Sequence, residues 1–124
     1  DEQKRLYSMS LEHITHNKSL IKAGLNFREF AEKSWQLPEN FYDNHYPCII
    51  HGVGLCDEWP FVAYPNDDFS NADFSATFEE NMTICVESYI GEVGGKQGIK
   101  LEDQFVVTKD GLEQLSSFPY EIDI

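Results

Sequence analysis

The hydrophobic pattern changes period once along the chain. From Asp1 to about Ile21, Tyr7, Leu11, Ile14 and Ile21 fall on one helical stripe with Leu6 and Leu20 at its edge, whereas Glu12, Asn17 and Lys18 stay polar. Ala23-Gly24 stops that helix. Asn26 then caps a second one, with Glu29 three residues later in capping-box position; Phe27, Phe30, Ala31, Ser34 and Trp35 mark its buried side and Pro38 ends it. Beyond Pro38 the apolar runs shorten. Cys48-Ile49-Ile50 leads into His51-Gly52-Val53-Gly54, and Phe61 to Tyr64 is a second run. Residues 65–80 are acidic and turn-rich and read as a surface loop. From Met82 to Ile90 the chain alternates: Met82, Ile84 and Val86 point one way, Thr83, Cys85, Glu87 and Tyr89 the other. Four glycines between Gly91 and Gly98 connect to a return strand that ends near Thr108. There Ile99, Leu101, Phe105 and Val107 oppose Lys100, Glu102 and Gln104, and Lys109-Asp110-Gly111 is a turn. The expected fold class is α+β: two helices packed on one face of a curved, mainly antiparallel sheet whose other face they leave open.

Composition narrows the partners. The 124 residues suit one domain, and 9 Lys+Arg against 22 Asp+Glu give a net charge of −13. Such a surface repels nucleic acid and anionic lipid. No apolar run approaches the roughly 18 residues of a membrane span. Cys48, Cys56 and Cys85 are an odd set without a CxxC, which suits a reduced, cytoplasmic protein with all three as buried small hydrophobes. The chain opens on Asp1-Glu2-Gln3-Lys4, without an initiator Met, and runs straight into a helix, as a piece of a longer protein would.

His51, Glu87 and Glu102 stand in or directly beside strand-like runs. A strand carboxylate is often half-exposed surface. When buried it needs a partner or a cation. Pairing of 82–90 with 98–108 brings Glu87 near Glu102, where the repulsion of like charges is relieved by a divalent metal, and a neighbouring His supplies a nitrogen ligand. His13 and His16 are read as a solvated helix face and His45 as part of a surface turn. Asp57 and Glu58 read as an acidic turn, and Trp59 as a core or rim aromatic.

Together, His51-Gly52-Val53-Gly54-Leu55, Val86-Glu87, Gly98-Ile99-Lys100-Leu101-Glu102-Asp103 and Val107-Thr108-Lys109-Asp110-Gly111 resemble the C-terminal half of the pita-bread metal enzymes: creatinase, aminopeptidase P, prolidase and methionine aminopeptidase. Ile21 to Glu29 resembles that family's helix-to-helix junction. The resemblance implies that residues 1–124 are the C-terminal portion of one catalytic domain. It implies two divalent metal ions (Fe, Mn, Co or Zn), with His51, Glu87 and the bridging Glu102 as ligands and two aspartates expected on a strand before the first helix. It further implies a small-molecule substrate and a homodimer. Peptidases of the family usually place a second His seven residues after the ligand His, where this chain has Glu58, and follow the first glutamate with Pro-Gly, where it has Ser88-Tyr89. The string from His51 to Pro60 is instead similar to the dimethylsulfoniopropionate lyases on this fold. In those enzymes the base that starts β-elimination matches Asp57 and a substrate-supporting tyrosine matches Tyr46; Tyr46 or Trp59 would meet the cationic sulfonium. Three functions are thus expected: the lyase, an Xaa-Pro aminopeptidase or dipeptidase, or a metal-free remnant serving as a binding module.

Overall fold

A computed structural model describes residues 1–67 and 74–121. The elements run α1 (Glu2–Leu20), α2 (Phe27–Lys33), α3 (Glu39–Tyr42), β1 (Ile50–Val53), β2 (Asp57–Val62), β3 (Thr83–Ile90), β4 (Ile99–Val107) and β5 (Leu112–Gln114). The strands form one antiparallel sheet in the order β2-β1-β3-β4-β5. One face packs under the helices; the core there includes Ile14, Ile21, Phe27, Phe30, Ile50, Ile84, Val86, Phe105 and Val107. The expected α+β layout is the observed one, with the short α3 and the edge strand β5 added to it.

The asparagine cap is confirmed: the Asn26 side chain accepts hydrogen bonds from the backbone N–H groups of Arg28 and Glu29. The Glu29 carboxylate instead reaches forward to Lys33 Nζ at 2.6 Å. That helix ends at Lys33 rather than running to Pro38, which caps the N-terminus of α3.

Three readings of the pattern are corrected. The buried face of α1 carries Leu6, Ser10, His13, Ile14 and Asn17, so Asn17 and His13 are not solvated. Their partners come from elsewhere in the chain. Ser10 Oγ donates to Ser88 Oγ at 2.9 Å, Asn17 Oδ1 accepts from the Trp35 N–H at 2.8 Å, and Tyr64 OH lies 3.3 Å from His13 Nε2. His16 is exposed, as expected. The surface loop at 65–80 falls in part outside the described residues. Within it, Thr77 bridges to Asn26, and Phe78 is fully buried in edge-to-face contact with Phe27 and Phe30. Finally, Asp57 and Glu58 open strand β2 instead of forming a turn.

Gly52 fixes how β1 meets β2. A Cβ there would stand 2.1 Å from the Trp59 carbonyl oxygen, so only glycine admits this approach, next to a register irregularity between His51 and Gly52. Gly94, at φ 74°, turns the connection from β3 to β4.

Candidate metal centre

Strand register assembles the site. His51 on β1 is the direct partner of Cys85 on β3, and Glu87 on β3 is the direct partner of Glu102 on β4. Residues two apart on a strand share a face, so His51, Cys85, Glu87, Lys100 and Glu102 all project from the side of the sheet opposite the helices. That side, which the helices leave open, carries these polar and titratable groups.

His51 is nearly buried. Its Nδ1 lies 3.0 Å from the Gly52 carbonyl oxygen, which can only accept a hydrogen bond. Nε2 faces Glu102 Oε1, 3.2 Å away, a separation that a shared proton or a metal cation between them would satisfy. The thiol of Cys85 completes a group whose three donor atoms lie within 4.8 Å of one another. The donor chemistry of nitrogen, oxygen and sulfur fits a divalent first-row metal.

Glu87 is 1% exposed. One carboxylate oxygen accepts from Cys48 Sγ at 2.9 Å, and the other is 2.7 Å from Lys100 Nζ. The same ammonium stands 3.1 Å from Glu102 Oε2 and 4.4 Å from the centre of the Tyr46 ring. Burial works to raise the Glu102 carboxyl; the Cys85 thiol, the Lys100 ammonium and His51 outweigh it and hold the group below the ordinary carboxylate value. Burial, with Glu102 beside it, pushes the Cys85 thiol up to about 12. Burial and the Glu87 carboxylate likewise raise the Cys48 thiol. Burial would lower the Lys100 ammonium, yet the two glutamates hold it above its usual value.

The structure therefore brings together His51, Glu87 and Glu102, with Tyr46 beside them through Lys100. Asp57 lies at the rim: 83% of its side chain is exposed, and Oδ1 is 3.6 Å from His51 Nδ1. Trp59 is not part of the group. Its ring packs 5.8 Å from Phe27, toward the helix-covered core. His45 is not a free surface group either: its Nδ1 donates to the Tyr42 carbonyl and its Nε2 pairs with Asp67 at 2.8 Å. Cys56 is exposed, whereas Cys48 and Cys85 are buried, the first donating to the Glu87 carboxylate and the second beside His51 and Glu102. Sequence reasoning missed Cys48, Cys85 and Lys100 as members of this cluster. The alternation on β3 and β4 had already put Cys85 on the face of Glu87 and Lys100 on that of Glu102.

The family model for metallopeptidase family M24 matches residues 1–109. Among curated proteins, the dimethylsulfoniopropionate lyase DddP of Roseovarius nubinhibens is 46% identical over 110 residues, covering 89% of this chain and 24% of the relative. DddP of Roseobacter denitrificans is 42% identical over 118 residues, covering 94% and 26%. The chain thus spans about a quarter of the length of the curated relatives it matches. Among solved structures, the Xaa-Pro dipeptidase from Bacillus anthracis aligns with a TM-score of 0.77 at 29% identity, over 98% of this chain and 32% of the other. The X-Pro aminopeptidase from Thermotoga maritima gives 0.71 at 26%, over 96% and 32%.

Proposed function

The chain belongs to metallopeptidase family M24, and from that premise we propose that it carries the His and Glu part of the metal centre of a dimethylsulfoniopropionate lyase. The reading rests on one observation above the others: His51, Glu87 and Glu102 meet on a single sheet face with Asp57 at its rim. The likeness of 42–46% to proteins named as that lyase supports it.

In this reading His51 Nε2, Glu87 and Glu102 would hold the divalent ions of the Fe, Mn, Co or Zn class that the family resemblance implies, Glu102 as the ligand common to both. Bound metal would hold the substrate carboxylate and acidify the proton on the adjacent carbon. Asp57 takes that proton. The C–H electron pair becomes the new carbon–carbon double bond, the bond from the β-carbon to sulfur breaks toward sulfur, and acrylate and dimethyl sulfide leave. Tyr46 already presents its ring face to a cation, the Lys100 ammonium at 4.4 Å, and a sulfonium would make the same kind of contact.

Peptide hydrolysis is the second reading, favoured by the 26–29% likeness to Xaa-Pro peptidases of solved structure. It calls for a proton-donating group at position 58, where an exposed glutamate stands opposite Gly52. Offering the metal-loaded full-length protein, which supplies the expected aspartate ligands, dimethylsulfoniopropionate and, separately, an Xaa-Pro dipeptide tests both. Dimethyl sulfide in the headspace supports the lyase. Free proline without dimethyl sulfide replaces it with the peptidase, and neither product, with no metal retained, leaves the binding module.

A further inference from the structure

We propose that Cys85 is a metal ligand: its thiolate, His51 Nε2 and a Glu102 carboxylate oxygen form a three-donor site for a thiophilic divalent ion of the zinc and cobalt class. The ligand set implied by the family resemblance contains only nitrogen and oxygen donors on this chain. The proposal adds sulfur to it. It rests on reading this sheet face as a metal site, and it is independent of the lyase activity.

Register places the thiol. Cys85 is the cross-strand partner of His51, and Glu102 is the partner of Glu87, two residues further along the same face of β3. The donor atoms of His51, Cys85 and Glu102 all lie within 4.8 Å of one another. Tetrahedral coordination with bonds of about 2.0–2.3 Å sets donors roughly 3.5 Å apart. His51 and Glu102 are already at 3.2 Å, so small side-chain rotations complete the set.

The surroundings leave these three donors available. The Gly52 carbonyl holds the His51 ring so that Nε2 faces the cluster, and Lys100 anchors the far Glu102 oxygen, Oε2, leaving Oε1 on the His51 side. Glu87, which accepts from Cys48 and pairs with Lys100, stands on the same face two residues beyond Cys85 and is not needed for this three-donor set. On coordination the thiol proton leaves to solvent and the thiolate takes its place on the ion. Cys85 faces an imidazole and a carboxylate, the donors with which a thiolate shares a metal. Thiolate with imidazole selects zinc, cobalt and iron over manganese and magnesium, whose preference is for oxygen.

Cobalt(II) reads the sulfur directly, because a thiolate ligand produces an intense sulfur-to-cobalt charge-transfer band in the near ultraviolet. The purified protein titrated with cobalt(II) is expected to show that band, and the Cys48→Ser/Cys56→Ser double variant, which keeps Cys85, is expected to retain it. Cys85→Ser is expected to lose it, to bind zinc more weakly by more than the roughly 10–100-fold that loss of an outer-shell partner costs, and to lose the preference for zinc over manganese. If Cys85→Ser does not fold, the double variant decides alone: a band there supports Cys85, and bound cobalt without a band there overturns it. Cobalt bound by the wild-type protein without the band, or a band that persists in Cys85→Ser, overturns the thiolate ligand and leaves the His and Glu metal reading standing. No cobalt or zinc binding at all overturns both.

Discussion

Glu87 and Glu102 face each other across β3 and β4 as direct partners, and the Lys100 ammonium spans them at 2.7 and 3.1 Å. Like charges directly opposite on a sheet are destabilising, and one of these two is buried. Lysine is therefore the cation that this face holds for itself. Lys100→Met is expected to destabilise the protein by up to the roughly 3–5 kcal/mol that removal of one member of a buried pair costs. Added zinc or manganese is then expected to raise the melting temperature of the variant more than that of the wild type. An equal rise in both proteins contradicts the idea that lysine and metal satisfy the same carboxylates.

Glu87→Gln and Glu102→Gln keep side-chain shape while removing charge. Both variants are expected to lose metal in elemental analysis after dialysis, Glu102→Gln the more completely, because it faces His51 Nε2 at 3.2 Å and is the bridging residue in the proposed site. Full metal content in both variants rejects the ligand assignment.

His13 makes stability depend on pH. Burial, reinforced by His16, lowers its pKa from 6.5 to about 4, so the folded protein keeps it neutral while the unfolded chain protonates it first. Between about pH 6.5 and 4 the unfolded state binds the extra proton, so folding free energy falls as pH falls. The loss amounts to on the order of 3 kcal/mol once pH 4 is reached. Denaturant titrations at pH 7, 6 and 5 are expected to show this decline, and His13→Gln is expected to flatten it. An unchanged slope in the variant assigns the pH dependence to other groups.

Much of the candidate centre was legible in local pattern. Two alternating strands joined by a glycine-rich turn pair in only a few registers, and any of these brings Glu87 near Glu102; the motif around His51 then supplied the third member. What stayed hidden depended on distant partners. Ser10, His13 and Asn17 look like a polar helix face until Ser88, Tyr64 and the Trp35 N–H are seen to satisfy them. Asp103 is similar. Its carboxylate is 4% exposed and accepts from Gln114, Ser116 and Tyr120, so it ties the segment after β4 back to the sheet. Nothing within β4 itself reports that role. Cys85 was hidden by its type, since a buried cysteine ordinarily fills space.

The comparison of Asp57→Asn with His51→Ala in the full-length protein tests the central claim most directly, with dimethyl sulfide release and bound metal measured on the same preparations. Asp57 stands beside His51, the proposed ligand, without itself being proposed as one. Its asparagine variant is therefore expected to keep wild-type metal content while elimination slows by about 10²–10⁴-fold, the usual cost of losing a positioned general base. His51→Ala is expected to lose metal and turnover together. Undiminished dimethyl sulfide release by Asp57→Asn, or full metal retention by His51→Ala, contradicts the account.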